Sequence, residues 1–314
     1  MCYNVNVVKT IISRRCNMNI LVTGGTVFAS RYTAEYFVKK GHNVYVLNRG
    51  SRPQSKGVIH LCGDRHNAES LLKGRHFDAV IDVTAYNETD VNDLIGALDS
   101  FGTYILISSS AVYPETLSQP FKESYETGEN SIWGAYGTNK IAAEKAAVSK
   151  VPDAYIIRPP YLYGPMNNLF REAFVFECAE KDRPFYVPKD GSLPLQFFHI
   201  NDLCRLIETI IAQKPKQHII NTGSKPVSVL EWVKLCYDAV GKVPELRYVT
   251  DDTPQRSYFP FYDYAYELDL TAMSSILNDL TPLDKGLAES YEWFRNNREL
   301  IIRKPLHEFI EANF

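Results

Sequence analysis

At 314 residues, with 45% hydrophobic and 23% charged side chains, the chain can bury a large core and has the composition of a soluble globular protein. Its formal net charge of −3 gives no electrostatic case for nucleic acid or an anionic membrane. No apolar run reaches the ~18 residues of a membrane span. The six cysteines form no CxxC pair and neighbour no histidine cluster, which argues against a bound metal and a disulfide scaffold and predicts a reducing, cytoplasmic setting.

Residues 1–17 carry Lys9, Arg14 and Arg15, no acid and no signal-like apolar stretch, so they read as a loose extension before the first strand. From Asn19, short β-branched runs alternate with helical stretches. The runs at 19–23, 43–47, 58–61, 78–83 and 103–108 predict strands, and 28–40, 66–73, 89–99 and 134–149 predict helices. Apolar runs without polar alternation suit a sheet covered on both faces. The fold predicted is therefore α/β, a doubly wound parallel sheet of the Rossmann type, with ligands outside the carboxyl ends of the strands. After a strand and proline-stiffened loop at 154–165, the text becomes richer in aromatics and prolines. This predicts a dinucleotide-binding domain of 18–165 plus about 197–224. A smaller, discontinuous substrate domain would hold 166–196 plus about 225–314.

The turn after the first strand reads "TGGTVFASR" from Thr23 to Arg31. Gly24 and Gly25 permit a tight turn, while Val27 and Ser30 stand where a dinucleotide fingerprint would place further glycines. The backbone amides at the helix start remain able to hold a pyrophosphate. Thr26 and Ser30 add hydroxyl donors, and Arg31 adds a charge. Alone, the stretch is as consistent with a plain βα turn as with a nucleotide site. At the end of the second strand stand Asn48 and Arg49 in place of the carboxylate that meets a ribose 2′-hydroxyl, which tilts the cofactor expectation from NAD towards NADP. A solvated turn is the alternative there. Asp64 and Arg65 follow the third strand, where an adenine edge would lie.

Tyr136 and Lys140 are four apart on a predicted helix, hence on one face. A phenol with a pKa of ~10 becomes a usable base beside an ammonium, and a strand-end serine can hold the substrate oxygen. A second YxxxK, Tyr36 to Lys40, lies on the first helix with no such serine. Aromatics Trp133, Phe174, Phe185, Phe197 and Tyr258 are candidate cleft walls, with core filling the better expectation for each.

Together "ILVTGGTVF", "GDRHN", "SSSAVY", "YGTNK", "IIRPPYLYGP", "FFHINDL" and "INTG" resemble the extended short-chain dehydrogenase/reductases of the NAD-dependent epimerase/dehydratase group. The resemblance implies Ser109, Tyr136 and Lys140 as the catalytic set. It implies cofactor contacts from Gly24, Gly25, Thr26, Val27, Phe28, Ser30, Arg31, Asn48, Arg49, Asp64, Arg65, Thr84, Ala85 and Ser108, with Pro160 and Tyr161 near the nicotinamide. Substrate-side candidates are Ser110, Tyr113, Trp133, Arg171, Gln196 and Arg256. The resemblance also suggests a homodimer through the helices at 89–99 and 134–149.

Departures narrow the chemistry. Family dehydratases carry an Asp-Glu pair after the catalytic Ser/Thr; here Ser110 and Ala111 stand there, so 4,6-dehydration is not expected. Nucleotide-sugar enzymes tend to place an Arg four residues before the strand histidine; here it is Leu195, with Arg171 or Arg256 as substitutes. The function expected is hydride transfer, by an oxidoreductase or epimerase, at a secondary alcohol or ketone of a small substrate, a sugar or nucleotide-sugar included. The "GGTxF", "NRG" and "QFFH" stretches resemble an atypical branch that includes plastid proteins binding stem-loop RNA. A non-catalytic dinucleotide-sensing or RNA-associated protein is thus the alternative.

Overall fold

The computed structural model describes residues 17–314, so the predicted N-terminal extension lies, apart from Asn17, outside the described residues. Seven of the described strands form one parallel sheet. They are β1 Asn19–Thr23, β2 Asn43–Asn48, β3 Ile59–Cys62, β4 His76–Asp82, β5 Ser100–Ile107, β6 Tyr155–Arg158 and β7 Ile219–Asn221. Their spatial order is 7-6-5-4-1-2-3. Every pairing is parallel, with Ile20 of β1 between Val44 of β2 and Ala79 of β4.

The apolar runs explain the layering. Ile20, Leu21 and Val22 are all fully buried, yet successive side chains of a strand point to opposite faces. Ile20 and Val22 join one core, under helices α1 (Phe28–Lys39) and α5 (Ile200–Gln213). Leu21 joins the other, under α2 (Glu88–Ala97) and α3 (Ala135–Lys150). The small side chains of Ala143, Ala146 and Ala147 let α3 lie close to the sheet there. The strand order reverses between β1 and β4, which opens a crevice at their carboxyl ends. The predicted helix at 66–73 shrinks to a 3-10 turn, Arg65–Asn67, and one helical turn, Glu69–Leu72. Asp64 caps the first by accepting the His66 amide, and Gly74, at φ +74°, stops the second.

A third core is built by the second half of the chain, including α4 (Glu172–Glu180), α6 (Val229–Val240), α7 (Leu283–Asn296) and α8 (Leu306–Asn313). Phe174, Phe185, Phe197 and Tyr258 all belong to it and fill space. Phe197 stacks on Trp232 with centroids 5.8 Å apart.

The segment from Ile301 to α8 is pinned back onto α4. The Ile302 amide donates to Asn168 O at 2.8 Å. Arg303 Nη1 reaches Glu177 Oε2 at 2.6 Å, and His307 Nε2 lies 3.4 Å from the same carboxylate. Burial pushes the Glu177 pKa up, but the adjacent His307 ring and the hydrogen-bonded charge of Arg303 outweigh burial and hold it at about 2. An unfolded glutamate titrates near ~4.3, so the folded value is depressed. The anchor's stabilisation is complete above about pH 4.5 and is lost as pH falls through 4 towards 2. The protection of the 302–310 amides, measured against the intrinsic exchange rate at each pH, should fall over that window, and Arg303→Ala should bring the low protection up to neutral pH. Protection that stays constant between pH 5 and 3 would rule the anchor out.

Candidate active site

A cleft of about 670 Å³ lies at the carboxyl ends of β1, β4, β5 and β6, walled on its far side by the third core. The glycine turn enters it first. Gly24 and Gly25 sit at φ +86° and +87°, and a Cβ on Gly25 would stand 2.5 Å from Val46 Cγ1. Val27 caps α1 with no side-chain acceptor, and the first turn holds no acid, so its amides and the positive end of its dipole stay open. Val27, Phe28 and Ser30 line the cleft. Phe28 takes the left-handed conformation, φ +34°, a strained choice for a bulky residue.

Several residues expected along a cofactor are bound within the protein instead. Ser30 Oγ donates to Val27 O at 2.9 Å, and Arg31 pairs with Glu35 at 2.9 Å, so neither hydroxyl nor charge is free as predicted. Asn48 Nδ2 donates to Gly24 O at 2.6 Å and to Gln54 Oε1 at 3.0 Å, which ties the end of β2 to the turn. Arg65 donates to both oxygens of Asp82, at 2.8 and 2.7 Å. Thr26 is half-buried, and Arg49 is exposed with no ion pair among the described residues.

Asp82 was not singled out by the sequence, although an acid inside an apolar strand was a signal. It is fully buried and accepts from Thr23 Oγ1 and Tyr104 Oη, both at 2.8 Å. Thr23 Oγ1 in turn accepts the amides of Val83 at 2.9 Å and Thr84 at 3.0 Å. This stitches β1 to β4 where their ends open the crevice.

Ser109 ends the β5 side of the cleft and caps a 3-10 turn, Ser110–Val112. Tyr136 stands in the first turn of α3. Gly137 beside it allows the close approach, since a Cβ there would meet Ala111 O at 2.5 Å. Tyr136 as a whole is 42% exposed, but its side chain lines the cleft. Desolvation raises the phenol's pKa, while a hydrogen bond with Ser109 and the charge of Arg171 pull it down. One turn on, Lys140 is buried beneath the Tyr86 ring, 5.2 Å from its centroid. It donates to Ala85 O at 2.6 Å and Ile107 O at 2.9 Å, not to Tyr136. Burial lowers its pKa to about 8.

Below this set runs a buried polar chain that sequence reasoning missed. Ser108 Oγ donates to Glu144 Oε1 at 2.5 Å. Glu144 faces Arg158 in two hydrogen bonds of 3.0 and 2.6 Å. Arg158 Nη1 continues to Tyr113 Oη at 2.8 Å, and Tyr113 donates to Asn221 Oδ1 at 2.8 Å. Glu144 lies one helical turn past Lys140, a spacing that could have revealed it. Tyr113 is therefore a fully buried brace, not the substrate contact expected. The same correction applies to Gln196, fully buried, which holds Ser224 O at 3.1 Å and the Leu268 amide at 2.9 Å.

Thr84, Ser108, Ser110, Pro160, Tyr161, Trp133, Arg171 and Arg256 do line the cleft. Ala85 is buried and Asp64 spends its carboxylate on the 3-10 turn. Trp133 packs edge-on to Tyr262 at 5.2 Å. Leu195 is buried at the position flagged for a missing guanidinium. Among the described residues no helix is long and apolar enough to cross a membrane, and none of their His, Cys, Asp and Glu side chains gather in threes to hold a metal.

A parallel sheet with a glycine turn at its switch point, and a Ser–Tyr pair facing the same cleft, define a doubly wound protein of the Rossmann class. The chain belongs to the NAD dependent epimerase/dehydratase family, whose sequence model matches residues 20–223. It is 28% identical over 306 residues to the chloroplast stem-loop binding protein of 41 kDa b of Arabidopsis thaliana, covering 89% of this chain and 80% of that one. It is 23% identical over 331 residues to the dTDP-4-dehydro-6-deoxy-D-allose reductase of Streptomyces bikiniensis, covering 90% and 98%. The fold matches the UDP-glucuronic acid 4-epimerase of Bacillus cereus, solved with UDP-glucuronic acid and NAD, at TM-score 0.70 and 19% identity over 89% of this chain and 99% of that one.

Proposed function

We propose that the protein catalyses hydride transfer at a secondary alcohol or ketone of a small, sugar-like substrate. The observation that carries this reading is that Tyr136 and Ser109 face one cleft whose other end is the open amino terminus of α1. The turn fits a dinucleotide: its two left-handed glycines leave no room for a side chain, and its amides have no acid competing for them. When bound, the nicotinamide supplies the hydride acceptor or donor. Tyr136 Oη would take the alcohol proton in oxidation and return it in reduction, and Ser109 Oγ would hold the substrate oxygen. Lys140 would fix α3 against β5 and supply positive charge under the site. Nucleotide-sugars are among the substrates considered, because the reductase relative and the solved epimerase act on them by name.

Solved structures of this fold hold NAD. Asn48 and the free Arg49 at the end of β2 support NADP here. A homodimer through α2 and α3 would cover Val148, 43% exposed on α3. An RNA-associated role is the second reading, and its support is the stem-loop binding relative.

Thermal shifts with NAD, NADH, NADP and NADPH test the cofactor reading. At a hundredfold excess over Kd a bound cofactor adds about 2.7 kcal/mol to apparent stability. Gly25→Ala should abolish the response, and Arg49→Ala should remove a preference for the phosphorylated forms. No shift with any of the four at millimolar concentration would overturn the reading.

A further inference from the structure

Lys140 lines the cleft and yet is only 2% exposed. Two of its three N–H donors are engaged by the carbonyls of Ala85 and Ile107. Over the ammonium stands the ring of Tyr86, which lines the same cleft and is itself 55% exposed. A buried cation is thus separated from the water of the cleft by a ring that stands mostly in that water.

The backbone that carries this ring is fixed on both sides. The Tyr86 amide donates to Asp90 Oδ2 at 2.7 Å, and the Asn87 amide reaches the same oxygen at 3.2 Å. Asn87 Oδ1 accepts the Asp90 amide at 3.0 Å, which closes a capping box at the start of α2. On the other side Ala85 O is held by Lys140 itself. Lys140 therefore fastens the peptide next to the ring that covers it, and Asp90 fastens the ring's own residue.

The ring face attracts an ammonium at this range, more strongly where water is excluded. Burial is the largest influence on Lys140 and lowers its pKa to about 8. Around it Asp82 of β4, Glu144 of α3 and Asp90 of α2 pull the value up, and Arg65 of the 3-10 turn pushes it down. Tyr86 neighbours Tyr136 as well, since its charge raises the pKa of that phenol. It is the one ring that acts on both members of the YxxxK pair among the described residues.

We propose that Tyr86 is the positioning residue of Lys140: its ring roofs the ammonium, keeps the water of the cleft from it and holds it on its two carbonyls. The bearing of this on catalysis rests on the reading of the cleft as the reaction site. Through Lys140, an uncharged side chain then governs the positive charge beneath that site.

Pulsed acetylation of the unliganded full chain with acetic anhydride, between pH 6 and 11 and read by peptide mass spectrometry, tests it. Lys145, exposed on the same helix, is the internal reference. In the parent Lys140 should label slowly, with a midpoint near 8. Tyr86→Ala should raise its limiting rate at high pH by about tenfold or more and move the midpoint up towards ~10.4. Tyr86→Phe should label like the parent, because the ring face remains. Both variants should melt close to the parent, since the ring is mostly exposed and its backbone is held independently by Asp90. Labelling of Lys140 in Tyr86→Ala with the parent's rate and midpoint would overturn the proposal. So would Tyr86→Phe behaving like Tyr86→Ala, or faster labelling that merely follows a lowered melting point. Because no ligand takes part, failure here is distinguishable from failure of the cofactor reading, which the thermal shifts report.

Discussion

Replacing Tyr136 by phenylalanine is expected to lower kcat by about 10²- to 10⁴-fold, the range for removing a positioned acid/base, with little change in melting temperature. The ring and its packing remain, and only the hydroxyl facing the cleft is lost. That hydroxyl faces the cleft and makes no hydrogen bond to the core, so its loss changes stability little. Tyr36 is the control, because it begins the second YxxxK. Its hydroxyl donates to Glu208 at 2.5 Å, and Lys40 reaches the same carboxylate at 2.8 Å, on the outer side of α1 against α5. Tyr36→Phe should leave turnover unchanged. Turnover that survives Tyr136→Phe would remove Tyr136 from the chemistry.

The largest stability effect is expected at Glu144. Glu144→Ala should cost about 3–5 kcal/mol, since it strands a buried guanidinium without its counter-charge. Arg158 is 3% exposed, and Glu144 is its one carboxylate partner among the described residues. Against a typical total of about 5–15 kcal/mol, such a loss removes a large part of the protein's stability. Glu144→Leu combined with Arg158→Met should recover much of it, because a buried pair replaced by apolar groups leaves no charge behind. Urea unfolding measures both, and a single-variant cost below 1 kcal/mol would show that the polar chain under the site bears no strain.

The sheet was legible because burial on both faces forces apolar runs that periodicity detects: β1, β2, β4 and β5 appear within a few residues of their predicted bounds. The placement of Tyr136 and Lys140 one turn apart on a helix was legible for a similar reason, since a helical repeat is local. Tyr113 and Gln196 were not. Their partners are distant in sequence: Asn221 lies 108 residues from Tyr113, and Leu268 lies 72 from Gln196. Nothing local tells whether a strand-end side chain turns into a cleft or into a brace. Ser30 lines the cleft, but its hydroxyl and the Asn48 amide are engaged by the nearby carbonyls of Val27 and Gly24, which no local pattern announces. Lys304 carried no signal, because it comes to the cleft only through the tertiary contact of Ile302 with Asn168.

That contact has a consequence for inheritance. Ser109 and Tyr136 stand on the sheet and α3, while Ile302 and Lys304, which line the same cleft, ride on a strap fastened at Asn168 and Glu177. Exchange of a few residues around 301–307 could re-address the protein to a new substrate and leave the proton-handling apparatus untouched. In this architecture, specificity and chemistry are free to drift at different rates.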